Sequence, residues 1–315
     1  MNLSAAGAIQ PLVSIVMCTY NGEMFLRHQI DSILAQTYAN IELIVADDAS
    51  SDNTVTILEE YRRKDPRIKF LMNAVNSGYN KNFERAFSLA QSDYIAISDQ
   101  DDVWEKNKIE TMMKGWLPGF LFIYSLSGNF IGDDFDARKQ APDVKYEPVS
   151  RLYQLVFSSP VHGHACMFKK ELLKYCAPFP ADIYYDWWMS MHATAVSTIG
   201  CITQTLTWHR MHRENSSRNI LSLIDKKEKN RQLRNQFVYS LETFFQASPP
   251  LKEEDKFLLT YTELLKKLNG NRWSSAMFFC IMKNRKKIFH YKKKKPFLFF
   301  SHLKHALRMA RTGVL

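Results

Sequence analysis

Tyr94-Ile95-Ala96-Ile97-Ser98-Asp99-Gln100-Asp101-Asp102-Val103-Trp104 joins an apolar run to three carboxylates. Tyr94 to Ile97 has the length and composition of a buried strand. The acids then stand at its C-terminal end, where open α/β sheets bind their ligands. Three like charges so close repel unless a cation or hydrogen-bond donors offset them. Hard oxygen ligands in a short loop suit Mg²⁺ or Mn²⁺, usually shared with substrate phosphates. The plainer alternative is a solvated acidic turn capping a helix that starts near Trp104.

Upstream, the chain repeats one pattern. Leu12 to Cys18 reads as a buried strand of the parallel-sheet type, ending in the turn Thr19-Tyr20-Asn21-Gly22. Phe25, Leu26, Ile30, Ile33 and Leu34 then fall at helical spacing. Ile41 to Ala46 is a second strand, and Asp47-Asp48-Ala49-Ser50-Ser51-Asp52-Asn53-Thr54 can cap a helix running to about Arg63. Ile68 to Met72 is a short third strand, and a polar loop leads to a helix from about Asn82 to Ala90. This β-α-β-α-β-α-β order calls for a parallel, doubly wound sheet flanked by helices. Three polar loops then meet on one sheet edge: Thr19–Asn21, Asp47–Asp48 and Asp99–Asp102. Neither a dinucleotide fingerprint nor a P-loop is present, so a bound nucleotide is held by side chains and a metal.

The run Val13–Asn21, the Asp47–Thr54 segment, Asn76-Ser77-Gly78 with Lys81-Asn82-Phe83, and Ser98–Trp104 together resemble family 2 glycosyltransferases of the Rossmann-like GT-A fold. The helix end Ser32-Ile33-Leu34-Ala35-Gln36-Thr37 belongs to the same pattern, and the likeness covers residues 12–104 closely. It is nearest to bacterial rhamnosyltransferase-like members of O-antigen and capsule clusters. The resemblance implies that Asp48 accepts from the base of a nucleotide sugar, with Tyr20 against that base and Thr19 and Asn21 nearby. It places Lys81 and Asn82 beside the base or diphosphate, and Asp99 at the ribose or sugar. Asp101 would hold a divalent metal, Mn²⁺ or Mg²⁺, that bridges the diphosphate, and Asp102 is a further contact. A metal that neutralises a departing diphosphate lowers the barrier to breaking the glycosidic bond.

Beyond residue 104 the reading is coarser. Lys106 to Trp116 is a candidate helix, Phe120 to Ser125 a strand, Asn129 to Gln140 a polar turn, and 147–156 a helix. Relatives often show Tyr-Ser-Asp where this chain has Tyr124-Ser125-Leu126. His162 and His164 flank Gly163 and alternate along an extended chain; a metal pair, a satisfied pair and a substrate-facing pair are all open, and no third ligand is adjacent in sequence. The element Tyr185-Asp186-Trp187-Trp188 matches the family motif that begins the helix of the catalytic base. A carboxylate desolvated by aromatic rings gains proton affinity, which suits a general base. The alternative makes Asp186 a helix N-cap with the two tryptophans in the core. Ile199 to Leu206 reads as a strand, followed by Arg210, His212 and Asn215, which match the family's Tyr-Arg-Gln-His-x-x-Asn. His209 replaces its Tyr and Met211 its Gln. The resemblance makes His212 a metal or diphosphate contact, with Arg210 and Asn215 supporting, and Gly163 and Trp187 as further contacts.

Charge divides the chain. Residues 225–315 hold 21 Lys and Arg against 7 Asp and Glu, whereas the whole chain carries only +10. A boundary near 216–225 follows, giving a GT-A domain over 1–220 and a basic helical tail over 221–315. The donor half is about 10–104 and the acceptor half about 105–220. In the tail, Lys283–Lys287 and Lys292–Lys295 interleave with Phe278, Phe279, Ile281, Ile288, Phe289 and Phe297–Phe300. Such composition suits an anionic membrane surface, a nucleic acid, or a helical face in a homodimer; the first agrees best with a lipid-linked saccharide acceptor, and no nucleic-acid partner is expected. No signal peptide, membrane-spanning run or Cys pair is seen among the five cysteines. The expectation is an inverting, metal-dependent transferase, cytoplasmic and peripheral at the inner face of the cell membrane. It would move rhamnose from dTDP-rhamnose in surface polysaccharide synthesis, Asp186 being the base. A non-catalytic nucleotide-sugar or polysaccharide-binding module on the same scaffold is the alternative, and a nucleotidyltransferase lacks its glycine-rich phosphate loop here.

Overall fold

Val13, Ile15 and Met17 project to one face of β1 (Val13–Thr19) and Val16 to the other, all four fully buried. A strand apolar on both faces must lie between two layers of helix. The computed structural model describes residues 10–140, 146–212, 226–268, 273–291 and 298–313. In it α1 (Leu26–Leu34), β2 (Ile41–Asp47), α2 (Thr54–Lys64), β3 (Ile68–Met72), α3 (Tyr79–Leu89) and β4 (Tyr94–Ser98) follow in the expected order, with α3 starting at Tyr79 rather than near Asn82, so that Lys81 is helical. β3, β2, β1 and β4 are parallel neighbours, and the Thr19–Asn21, Asp47–Asp48 and Asp99–Asp102 loops share one edge.

After β4 the topology changes. No helix begins at Trp104; β5 (Val103–Trp104) pairs antiparallel with β9 (Ile199–Met211), and α4 is Lys108–Lys114. β6 runs from Phe122 to Ile131, and β7 (Asp134–Lys139) pairs back on it. The expected polar turn at Asn129–Gln140 is therefore a hairpin turning at Gly132, where φ is +56°. Its polar residues take strand form because β9 supplies a ladder beside β6 from Phe122↔Ile199 to Ile131↔Met211. α5 (Leu152–Ser158) starts later than expected, because Gln154 accepts at Oε1 from the Ser150 and Arg151 N–H groups and starts the helix there. β8 (Cys166–Lys169) lies antiparallel between β4 and β6, and α6 (Leu173–Cys176) and α7 (Tyr185–Val196) precede β9. Like β6, β9 is longer than predicted, so His209 and Arg210 are strand residues.

Among the described residues, five α-helices follow: α8 (Lys226–Ala247), α9 (Phe257–Lys266), α10 (Ser275–Lys283), α11 (Arg285–Ile288) and α12 (Leu298–Thr312). Their apolar sides join the cluster that covers one face of the sheet: Leu241, Phe244, Tyr261, Met277 and Met309 share it with Val16, Phe87 and Trp188. Asp255 accepts from the Leu152 and Tyr153 N–H groups at 3.2 and 2.9 Å, so the extension also supplies the acceptor for the first turn of α5. Ile281, Ile288 and Phe289, expected beside the basic runs at a surface, are buried, while Phe279, Phe299 and Phe300 are exposed. Lys292–Lys295, Phe297, Asn215 and the 216–225 boundary lie outside the described residues. Among those described, no helix is long and apolar enough to cross a membrane.

Candidate active site

The first two loops are built on carboxylates. Asp47 takes the Thr19 hydroxyl at 2.8 Å and the Ser50 N–H at 2.9 Å, which folds the turn after β2 back on β1. Ala49 pays for that turn with a φ of +63°, a region costly for any side chain. Asp48, 3 % exposed, accepts at Oδ1 from Asn73 Nδ2 and the Ser77 N–H and hydroxyl, and at Oδ2 from the Gly78 N–H. These donors hold its carboxyl below the usual range against the upward pull of burial. Asp48 thereby moors the 73–78 loop to the sheet edge. Asn82 is buried, with its amide on the Ala46 carbonyl and on Asn73, while Lys81 beside it is exposed. Tyr20 is half exposed, and its N–H and C=O are both bonded to the Gln100 side chain of the acidic loop. Asn21, at φ +48°, accepts from the Ser51 N–H. The three loops are thus laced together around an open edge.

The acidic loop meets β9. His212 Nε2 lies 2.7 Å from Asp101 Oδ2, and His209 Nδ1 lies 2.9 Å from Asp102 Oδ1. Arg210, 2 % exposed, sits between Phe25 and Phe130, each centroid 4.6 Å from its guanidinium carbon. Its Nε donates to the Asp101 carbonyl and its backbone N–H to Asp102. Arg210 therefore clamps the loop from behind. Asp101 is raised to about 6, first by burial and then by repulsion from Asp102 and Asp99. Asp102 moves the other way: burial pulls it up, but His164 and His209 hold it below its ordinary value. Burial works against charge on His209, yet Asp102 prevails and lifts it to about 9.

His164 completes this cluster. It sits on a 3₁₀ turn, Gly163–Ala165, with Nδ1 3.5 Å from both Asp99 Oδ2 and Asp102 Oδ2. Its ring stacks between those of His162 and His209, at 5.8 and 5.0 Å and within 7° of parallel. The His162–His164 pair is not itself a ligand set: His162 lies outside the cluster, the chain at Gly163–Ala165 is a 3₁₀ turn rather than extended, and His164 groups instead with Asp102 and His209. Asp102, His164 and His209 present ligating atoms within 4.8 Å of one another, and Asp102 Oδ2 is buried with no hydrogen bond. Carboxylates with imidazole nitrogens, including the Asp101–His212 pair, fit a divalent ion such as Mn²⁺.

Asp186 lies in the first turn of α7; the N-cap is Tyr184. Its Oδ2 accepts from the Gly163 N–H at 3.0 Å and its Oδ1 from the Trp187 N–H at 2.8 Å. Gly163 must be glycine for this approach, since a Cβ there would stand 2.6 Å from the Tyr185 hydroxyl. Burial, with some repulsion from Asp99, raises the Asp186 carboxyl above the ordinary range. Trp187 stacks on Phe237 of α8 at 5.9 Å and Trp188 is in the core.

Three further polar side chains that support these elements were not read from the sequence. Asn80 donates from Nδ2 to the Pro180 and Ile183 carbonyls, both at 2.6 Å, and accepts from the Tyr185 N–H, tying α3 to the start of α7. Lys108, fully buried over the Trp104 ring at 3.5 Å, donates to the His164 carbonyl; burial pushes it down to about 7. Ser127 holds His164 Nε2 at 2.8 Å.

Known proteins resemble this chain in sequence and in fold. Residues 14–176 match the family model described as glycosyl transferase family 2. The chain is 42% identical over 120 residues to the UDP-Glc:alpha-D-GlcNAc-diphosphoundecaprenol beta-1,3-glucosyltransferase WfgD of Escherichia coli, covering 38% of this chain and 46% of that protein. It is 42% identical over 99 residues to the dTDP-rhamnosyl transferase RfbG of Shigella flexneri, covering 30% and 34%. The chain thus spans less than half the length of these two relatives. The fold superposes on S. aureus TarS 1–349 in complex with UDP-GlcNAc with a TM-score of 0.56 at 16% identity, over 95% of this chain and 81% of that one.

Proposed function

The chain belongs to glycosyl transferase family 2 and is a glycosyltransferase with the GT-A fold; from that premise we propose an inverting, metal-dependent transfer of a sugar from a nucleoside diphosphate to a saccharide hydroxyl in cell-surface polysaccharide synthesis. The observation that carries this reading is the meeting of the Asp99–Asp102 loop with His212 and His164, with Asp186 hydrogen-bonded to Gly163 next to His164. Tyr20 and Lys81 are exposed where the base and diphosphate would lie, with Thr19, Asn21, Asp48 and Asn82 fixing the loops beneath them.

A divalent ion held by Asp101 and His212, when bound, offsets charge on the departing diphosphate. Asp99 faces the ribose or sugar. Asp186 takes the proton of the acceptor hydroxyl, its affinity raised by desolvation and its orientation fixed by Gly163. The acceptor oxygen attacks from the face opposite the diphosphate, so one displacement suffices and the configuration inverts. Arg210 keeps the acidic loop in place throughout.

For the donor we favour dTDP-rhamnose, with UDP-glucose as the competitor, since relatives named for each are equally identical over their matched stretches. The acceptor is a lipid-linked saccharide, in line with the diphosphoundecaprenol substrate in the name of WfgD. Attachment at the inner membrane face then falls to the exposed Phe279, Phe299 and Phe300 among the basic residues. The test is a panel of nucleotide sugars with Mn²⁺ or Mg²⁺, read by nucleoside diphosphate release and by thermal shift. One donor giving metal-dependent release carries the proposal. Binding of several nucleotide sugars without any release, in the presence of a lipid-linked acceptor fraction, favours a binding module.

A further inference from the structure

A cavity of about 150 Å³ lies behind the histidine stack, between β6, α5 and the residues that follow α11. Ser127 and His162, the same residues that hold and stack on His164, are part of its lining. Only Gly163 separates His162 from His164, and the Gly163 N–H is bonded to Asp186. The cavity thus abuts the turn that holds the proposed base. Tyr291, contributed by the C-terminal extension, lines the cavity as well.

The lining is of mixed character. Gln154 spends its Oε1 on the start of α5, which leaves its two amide N–H donors for the cavity. Ser158 adds a hydroxyl and Tyr291 an aromatic face. Leu126 makes that part of the wall apolar. A cavity of ~150 Å³ in another protein is known to admit benzene, so one six-membered ring fits the space. Convergent polar groups beside apolar and aromatic surface mark a ligand site rather than a packing void. A pyranose has both faces of that character, with equatorial hydroxyls around an apolar C–H surface.

We infer that this cavity is a subsite for one pyranose ring of the acceptor saccharide, with Tyr291 of the extension as its aromatic wall. The inference rests on the glycosyl-transfer reading and deepens it: the extension then selects the acceptor as well as completing the core.

Saturation-transfer NMR on the full chain tests it, with methyl pyranosides of glucose, galactose, mannose, rhamnose and N-acetylglucosamine as probes. The wild type is expected to transfer saturation to at least one of them. Ser158→Phe, which fills the cavity, and Tyr291→Ala, which removes its wall, should each cut that signal at least fivefold. Titration of UDP and dTDP with Mn²⁺ in the same samples should be unchanged by either variant. No pyranoside signal in the wild type, or equal signals in wild type and Ser158→Phe at matched melting temperature, overturns the subsite. Failure of both nucleotides to bind the wild type would instead overturn the transfer reading, and a pyranoside signal lost in Ser158→Phe would still stand for the subsite.

Discussion

His212 and Asp101 touch at 2.7 Å across 111 residues of sequence, joining the end of β9 to the loop after β4. Each offers one ligand atom, so neither alone makes a firm site for an ion that also needs diphosphate oxygens. Replacing His212 by Ala should raise the Mn²⁺ concentration for half-maximal activity about 10- to 100-fold, the range seen when a metal site loses a supporting group. Activity measured against Mn²⁺ concentration decides it; an unchanged midpoint removes His212 from the metal.

Asp186→Asn should lower transfer about 10²- to 10⁴-fold, the usual contribution of a positioned base. Donor binding should stay within error, because the carboxylate faces Gly163 rather than the donor loops. The wild-type pH profile carries the same information. A base works when deprotonated, so activity is lost as pH falls through its pKa. Because burial raises that value, the acidic limb should sit above the ordinary carboxylate range and vanish in the Asn variant.

The Asp102–His209 pair should be visible as stability. His209 is raised to about 9 in the folded chain, so its contribution is complete below its unfolded value near 6.5 and is lost as pH rises through 9. Asp102 is held low, so its share is present at neutral pH and disappears in acid. His209→Ala strands Asp102 with one fewer partner and should cost about 3 kcal/mol near pH 6.5. Thermal melts at pH 6.5 and pH 10 check this; a deficit equally large at both would show that packing, not charge, is what was lost.

Asn80→Ala should weaken transfer without touching either substrate. Its amide bridges α3 and the start of α7 through four hydrogen bonds. Loss of buried partners costs about 1–3 kcal/mol. The expected signature is a kcat reduced several-fold with the donor KM unchanged, and partial recovery in Asn80→Asp is not expected, because a carboxylate cannot donate to the Ile183 carbonyl. A raised donor KM would place Asn80 at the nucleotide instead.

Phe244→Ala tests the extension. Phe244 is 1 % exposed and packs on Trp188 and His192 of α7. A buried Phe truncated to Ala costs about 3–5 kcal/mol. Loss of that size in chemical denaturation, in a single transition, makes residues 226–313 part of the folded body. A near-neutral result would make them an appendage.

What the sequence disclosed was local. The strands Val13–Thr19 and Tyr94–Ser98 announce themselves by continuous apolar residues, and Asp101 and Asp186 by the motifs around them. The partners of those acids were not legible, because His209 lies 107 residues from Asp102 and no periodicity reports such a distance. Asp186 was readable as a base or a cap; only the Gly163 N–H shows which way its carboxylate turns. In the extension, composition did not separate inward from outward aromatics: Ile281, Ile288 and Phe289 are buried, while Phe279, Phe299 and Phe300 are exposed.

The order of strands has a consequence for recombination. β4 ends mid-sheet, yet the residues directly after the acidic loop, Val103 and Trp104, pair with β9 at the opposite border. A chimera cut at residue 104 would import a donor half whose last strand has lost its partner sequence. The exchangeable unit includes Thr207 to His212, so a donor specificity transplanted from a relative must bring that strand end with it.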